Sequence, residues 1–262
     1  MSELIHNMPF ADYLALDRLS SSGLKQLARS PAHFRHASAH PSPPSPAQAL
    51  GTCAHGFILE SETFRPAVAP ECDRRTTVGK ARYAEFLEES KTADIIVTAE
   101  QWYKAQAMRD AVMSQPYAAA LLADGSPEVT ALWDQGGIEC KARFDWLPSG
   151  HQVIVDLKTA SEADYDGFAR AAGRYKYAIQ ASLYSMAAKA CGLGDRPMIF
   201  IVVENEPPHA VALYTLDEEA IYSATYKIER LLEQYAECKS SGDYPGYAIE
   251  VQSLSLPKWS LA

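Results

Sequence analysis

The residues best suited to chemistry are two aspartates and a lysine in the middle of the chain. Asp156 and Lys158 are two positions apart, so an extended strand would project both side chains from one face. Asp145 lies on the polar side of the preceding alternating segment, and the short Pro148–Gly150 connection would bring it close to Asp156. Two neighbouring carboxylates repel each other unless a cation lies between them, and Mg²⁺ or Mn²⁺ prefers such oxygen ligands. The sequence therefore predicts a divalent-cation site beside a lysine that orients water or stabilises charge on a phosphate.

The alternative is a solvated surface strand on which Asp156 and Lys158 form a weak ion pair. The apolar neighbours of Asp156 favour the buried site, because an unpaired buried charge is costly. A later segment carries Tyr177, Gln180 and Tyr184 on one helical face. An aromatic stripe at this spacing is usually core, but a glutamine in its middle is not the usual core residue.

Two further residues, His55 and Glu128, carry weaker signals. His55 lies in a predicted helix with small residues at Gly51, Ala54 and Gly56, which permit close approach of another backbone or a ligand. A lone helical histidine is more often structural. Glu128 opens the first predicted strand of the sheet, where an exposed glutamate is ordinary.

Alternation and capping residues predict the elements that position these side chains. Three strands form an antiparallel meander: Glu128–Trp133, Ile138–Trp146 and Gln152–Lys158. A long helix follows over Tyr165–Ala190, and then the chain continues with strands Met198–Val203 and Ala210–Tyr214 and helix Asp217–Lys239. Earlier, Ser20, Ser45 and Thr98 are expected to cap helices, His40–Pro46 is a stiff proline-rich connection, and residues 61–97 form a surface excursion with one short helix. We expect a mixed α/β (α+β) fold.

Composition limits the possible classes of protein. The 262 residues are 47% hydrophobic, which supports one domain over residues 1–262, with a helical part at 1–120 and a sheet core at 121–262. No apolar run is long enough to cross a membrane. The five cysteines include no C-x-x-C pair, which argues against a zinc or iron–sulfur site and fits a reducing cytoplasm. The net charge of −9 disfavours a passive nucleic-acid coat.

Taken in order, these motifs resemble the PD-(D/E)XK nuclease superfamily. They are Gly51-x-x-x-His55, Glu128, Asp145, Asp156-x-Lys158 and Gln180-x-x-x-Tyr184. The likeness is to the branch shared by the RecB nuclease domain and recombination exonucleases of the RecE type, bacterial or phage-encoded, and it extends to Leu19–Leu27 and Ser30–Phe34. Phe144 stands where the superfamily's nominal proline would precede the first aspartate.

The resemblance implies a restriction-endonuclease-like core, a mixed central sheet flanked by helices, and a role for each matching residue. Asp145 and Asp156 would bridge Mg²⁺, for which Mn²⁺ can substitute, Lys158 would be the catalytic lysine, and Glu128 a further catalytic acid. The metal ligands would also include His55 and the backbone carbonyl of Leu157. The residues expected to support the site and contact DNA are Gln180, Tyr184 and Tyr177.

The implied activity is Mg²⁺-dependent exonuclease digestion of linear double-stranded DNA from its ends. The 5′-ended strand would be degraded, which leaves a 3′ single strand for a single-strand annealing partner. Two alternatives are a site-specific or structure-specific endonuclease and a non-catalytic DNA-binding module with a relic site. Only an endonuclease would cut covalently closed circular DNA.

The acidic charge of the chain raises the question of how it would hold DNA. The family precedent is a closed ring around DNA, so we expect a cyclic homo-oligomer, a trimer or tetramer. Basic residues of the N-terminal third are the candidates for lining its channel: Lys25, Arg29, Arg74, Arg75, Lys80 and Arg82.

Overall fold

A six-stranded mixed sheet forms the centre of the fold. The structure is a computed structural model that describes residues 2–40 and 45–256, so part of the proline-rich connection lies outside the described residues. The sheet order is β1-β4-β5-β6-β7-β8, parallel between β6 and β7 and antiparallel elsewhere. The strands are β1 (Glu3–Ile5), β4 (Gly125–Gln135), β5 (Ile138–Pro148), β6 (Ile154–Ala160), β7 (Met198–Glu204) and β8 (Val211–Tyr214). This confirms the mixed α/β sheet and the β4-β5-β6 meander.

The β4–β5 hairpin follows from the glycine pair in its turn. Gly136 and Gly137 both have positive φ, at 62° and 87°, which costs glycine little. The Asp134 side chain accepts a hydrogen bond from the Gly137 amide at 2.8 Å. The long hairpin places the polar residues of β5 in register with β4.

Helices cover both faces of the sheet. On one face, a core that includes Trp133, Phe144 and Phe200 packs against α2, α9 and α10. On the other, a core that includes Trp146, Leu157 and Ile201 packs against α4, α6 and α7. The helices are α1 (Phe10–Ala15), α2 (Ser21–Leu27), α3 (Pro31–Ala39), α4 (Pro46–Leu59), α5 (Thr77–Glu89), α6 (Ala99–Ser114), α7 (Pro116–Leu122), α8 (Tyr165–Arg174), α9 (Tyr177–Ala190) and α10 (Glu218–Ser241).

The predicted helix starts agree with the structure. Ser20 caps α2, and Ser45 and Thr98 each form a capping box at the start of α4 and α6. Asp217 caps α10 by accepting a hydrogen bond from the Ala220 amide at 2.7 Å. These local signals need no tertiary context, because the cap and its partner lie three residues apart.

Three expectations for regular structure were wrong. Within residues 61–97, β2 (Pro66–Val68) and β3 (Ile95–Val97) form a two-stranded parallel sheet around a 13-residue α5. The N-terminal part also contributes β1 to the central sheet, so it is not purely helical. Strands of three residues are too short to show a period.

The third expectation was one continuous helix over 165–190. The structure breaks it into α8 and α9 at Tyr175 and Lys176, because Lys176 adopts a left-handed conformation with φ 54° and ψ 48°. The Lys176 ammonium donates a hydrogen bond to the Lys25 carbonyl at 3.1 Å, a long-range contact that sequence spacing does not show. Among the described helices, none has the length and apolar character that crossing a bilayer requires.

Candidate active site

The site forms where β5 and β6 diverge. Only Trp146 and Val155 are paired in the register between these strands within the described residues. Asp145 lies beside this last pair, and its Oδ2 accepts a hydrogen bond from the Leu157 amide at 3.0 Å. The carboxylate thus takes the place of a backbone acceptor, which fixes Asp145 next to the strand that carries Asp156.

His55 reaches the same point from α4. Its Nε2 donates to the Leu157 carbonyl at 2.8 Å, which assigns the lone pair to Nδ1. Nδ1 lies 3.7 Å from Asp145 Oδ2. Gly51, one turn earlier, faces Thr159 on β6, but a Cβ there would lie 3.4 Å from Thr159 Oγ1, an ordinary van der Waals distance, so the approach does not require glycine. The Leu157 carbonyl, an expected metal ligand, therefore already orients the imidazole.

Glu128 faces Asp145 across β4 and β5. The flanking pairs Pro127–Trp146 and Val129–Phe144 bracket it, but Glu128 itself has a positive φ of 52°. A non-glycine residue in this region is strained and is often found at functional sites. His55, Glu128 and Asp145 each place one possible ligand atom within 4.8 Å of the other two. The three residues are far apart in sequence but form a compact group in the fold.

Asp156 is fully buried and its two oxygens have different environments. Gln180 Nε2 donates to Oδ1 at 2.6 Å. The Lys158 ammonium forms an ion pair with Oδ2. A buried carboxylate is costly unless it is paired, and Gln180 and Lys158 supply that pairing.

The surroundings of the site disfavour the ionised form of two of its carboxyl groups, Asp145 and Glu128. Burial and the Asp156 charge raise the pKa of Asp145 to about 8. Burial and the Asp145 charge also raise the pKa of Glu128. Burial lowers the pKa of His55, which keeps its imidazole neutral and suited to coordination. Burial acts to lower the pKa of Lys158, but the charges of Asp156 and Asp145 outweigh it and raise the pKa.

The donor set fits a hard divalent cation. His55, Glu128 and Asp145 would hold it, and the Asp156 carboxylate lies nearby on β6. Carboxylate oxygens dominate the set, which suits Mg²⁺ or Mn²⁺ better than a thiophilic metal. Asp156 is not a member of the compact group, since Gln180 and Lys158 engage its carboxylate.

The predicted aromatic stripe of α9 lines the site from behind. Tyr184 is buried and its ring packs edge-on against Phe144, with centroids 5.5 Å apart. Burial and nearby tyrosine and carboxylate groups raise its pKa well above the usual value. Gln180 accepts a hydrogen bond from Lys25 Nζ at 3.2 Å. Gln180 and Tyr184 are 8% and 7% exposed, so they orient the site and leave little surface for DNA.

Four of the basic residues expected to contact DNA form two pairs. Lys25 and Arg29 lie near the site and the α8–α9 break, and Arg74 and Arg75 lie before α5. Lys25 joins the site, and burial and the Lys158 charge lower its pKa to about 8. Arg29 acts electrostatically on Lys176 at the α8–α9 break. Arg74 lies over the Tyr83 ring, and Arg75 pairs with Asp73 in the exposed turn before α5.

Two residues near the site were not assigned a role from sequence. Arg143 forms an ion pair with Glu128 and donates to the Met8 carbonyl at 2.9 Å, which connects the site to the N-terminal segment. Its alternation with Asp145 on the polar face of β5 was the available signal. Glu60 caps the end of α4 and interacts electrostatically with Glu128 and His55. Nothing local distinguishes it from a surface glutamate.

Comparison with known proteins places the fold in context. A family model described as a PDDEXK-like domain of unknown function matches residues 20–257. The crystal structure of a candidate exonuclease from Eubacterium rectale is similar over 98% of both chains, with a TM-score of 0.66 and 13% identity. A protein of Vibrio cholerae, VC1899, has a TM-score of 0.26 at 13% identity over 92% of this chain and 58% of its own. No curated protein sequence matches the chain.

Proposed function

Because this chain belongs to the family of PDDEXK-like domains, we propose that it is a Mg²⁺-dependent exodeoxyribonuclease acting on linear double-stranded DNA. The observation that carries the proposal is the convergence of Asp145, Glu128 and His55 beside the buried Asp156–Lys158 pair. Metal-dependent phosphodiester hydrolysis uses both features, a group of cation ligands and a neighbouring ammonium that stabilises charge on the phosphate.

Each residue of the site has a distinct task in the proposed reaction. A bound divalent cation would polarise the scissile phosphate and lower the pKa of water. Lys158, held charged by Asp156 and Asp145, orients the attacking water and stabilises charge that develops on the phosphate. Gln180 holds the Asp156 carboxylate in place. The Leu157 carbonyl fixes the His55 ring, so its ligand nitrogen is preset.

The proposal includes an end-dependent mode of action. Digestion of the 5′-ended strand would leave a 3′ single-stranded tail for a single-strand annealing partner. We place this reaction in the cytoplasm. The candidate exonuclease from Eubacterium rectale, similar in fold, supports exonuclease over endonuclease action. The test is digestion of linear duplexes labelled at either end, beside covalently closed circles of the same sequence. Release of the 5′ label first with intact circles is expected, whereas cutting of circles would contradict the proposal.

A cyclic homo-oligomer is part of the same proposal. A chain of net charge −9 would hold DNA better if several copies gathered their basic residues around it. We expect a trimer or tetramer by light scattering and digestion that continues along one DNA molecule after dilution. A monomer at working concentration that digests processively would contradict the ring.

A further inference from the structure

The α8–α9 break presents an aromatic ring to solvent near the catalytic lysine. Tyr175 is 52% exposed, and its ring stacks on Tyr177 with centroids 5.8 Å apart and planes inclined by 27°. The Tyr177 ring lies 5.0 Å from Lys158 Nζ and 5.4 Å from Lys25 Nζ. The two stacked rings therefore extend from the protein surface, at Tyr175, to the candidate active site, at Tyr177.

The backbone holds this exposed ring in a defined position. Lys176 adopts the left-handed conformation, which a non-glycine residue does not adopt without support. The support comes from its ammonium on the Lys25 carbonyl and from the Tyr175 amide, which donates to the Ala171 carbonyl at 2.8 Å. Such strain is often retained at functional positions, and here its effect is to direct Tyr175 outward at a fixed turn.

Positive charge surrounds the two rings. The Arg174 guanidinium lies over Tyr175 at 5.6 Å. Arg29 and Lys227 both act electrostatically on Lys176. In a chain of net charge −9, this local excess of cations favours a polyanionic ligand. A ligand that suits both the rings and the cations carries phosphates and flat aromatic groups.

An unpaired DNA strand is the ligand that meets both requirements. Bases within a duplex already stack on each other, so only an unpaired base has a free face for a tyrosine. We propose that Tyr175 and Tyr177 form a stacking platform for an unpaired nucleobase of the DNA end at the active site. Arg174 and Lys176 contact the backbone phosphates beside that base. This inference rests on the proposed nuclease function, and it identifies a frayed or single-stranded end as the preferred form of the substrate.

The test compares binding of two DNA ends in EDTA by the full chain. One duplex is blunt, and the other carries a short single-stranded overhang with 2-aminopurine, whose fluorescence falls on stacking. Tyr175→Ala should weaken overhang binding by about tenfold, abolish the fluorescence change and alter blunt-end binding less than about twofold. Tyr175→Phe should bind like the wild type, because stacking needs no hydroxyl. Tyr222→Ala removes a tyrosine that is 78% exposed on α10 and is the matched control.

The outcomes separate this inference from the function on which it rests. A wild-type chain that digests DNA, with Tyr175→Ala equal to wild type on both ends, would overturn the platform alone. Equal loss on both ends with Tyr175→Ala would also overturn it, since the residue would then act on binding or folding in general. A wild-type chain that neither binds nor digests any DNA would overturn both proposals.

Discussion

Replacing Asp145 by asparagine should stabilise the metal-free protein at alkaline pH. The Asp145 carboxyl is buried beside Asp156 with only 16% of its side chain exposed, and its pKa rises from 3.8 to about 8. A raised carboxyl pKa means that the folded state prefers the protonated form. Between about pH 4 and pH 8, Asp145 is ionised in the unfolded chain but stays protonated in the folded one. The contribution of Asp145 to the free energy of unfolding therefore falls as pH rises through this range. Asparagine carries no charge and removes this penalty.

The size of the effect follows from the linkage between ionisation and folding. A tenfold change in an ionisation constant is worth about 1.4 kcal/mol, so the penalty accumulated between pH 5 and pH 8 is on the order of 4 kcal/mol. We expect the stability advantage of Asp145→Asn over wild type to grow by about 2–4 kcal/mol across that range.

Urea unfolding in EDTA at both pH values measures this advantage. Asp110→Asn is the matched control, because Asp110 is an exposed aspartate on α6 whose side chain is 75% accessible. Addition of Mg²⁺ should stabilise the wild type and leave Asp145→Asn nearly unchanged. The reasoning would be refuted if the difference between variant and wild type were the same at pH 5 and pH 8, or if the control behaved like the variant.

Four further outcomes follow from the same contacts. Lys158→Ala should reduce DNA hydrolysis by about two orders of magnitude or more while Mn²⁺ still binds, and Lys158→Arg should restore it only in part, because a planar fork does not replace a compact ammonium. Wild-type turnover by Lys158→Ala would limit Lys158 to a structural ion pair with Asp156. Gln180→Leu should weaken Mn²⁺ binding about tenfold in calorimetry by releasing Asp156, and unchanged affinity would deny it a positioning role. Arg143→Leu should cost about 3 kcal/mol in urea unfolding by leaving the largely buried Glu128 carboxylate unpaired, whereas Arg109→Leu, on an exposed part of α6, should cost little. Metal affinity should rise by about tenfold per pH unit between pH 6 and pH 8, since Asp145 must lose its proton to bind, and a flat profile would contradict its raised pKa.

Local patterns predicted the sheet core and several helix starts. The alternation in β5 and the Gly136–Gly137 turn define a hairpin without reference to the rest of the chain. Capping boxes at Ser45 and Thr98 are equally local. The break at Lys176 was missed, because the alanine-rich sequence around it favours helix and the long-range contact with Lys25 favours the turn.

The composition of the site was easier to predict than its geometry. Residue types and order identified Asp145, Asp156 and Lys158 as partners, since strand alternation determines which side chains share a face. The left-handed φ of Glu128 and its pairing with Arg143 depend on packing between elements far apart in sequence. The stacking of Tyr175 on Tyr177 likewise depends on where α8 ends.

The most direct measurement is the hydrolysis of linear double-stranded DNA by the wild-type chain and by Asp156→Asn. Asp156 is buried, and its carboxylate contacts Gln180 and Lys158 within the site, so its loss should remove chemistry while circular dichroism stays that of a folded protein. The account predicts digestion with Mg²⁺, none in EDTA, and none by Asp156→Asn under either condition. Digestion in EDTA, or wild-type digestion by Asp156→Asn, would contradict it.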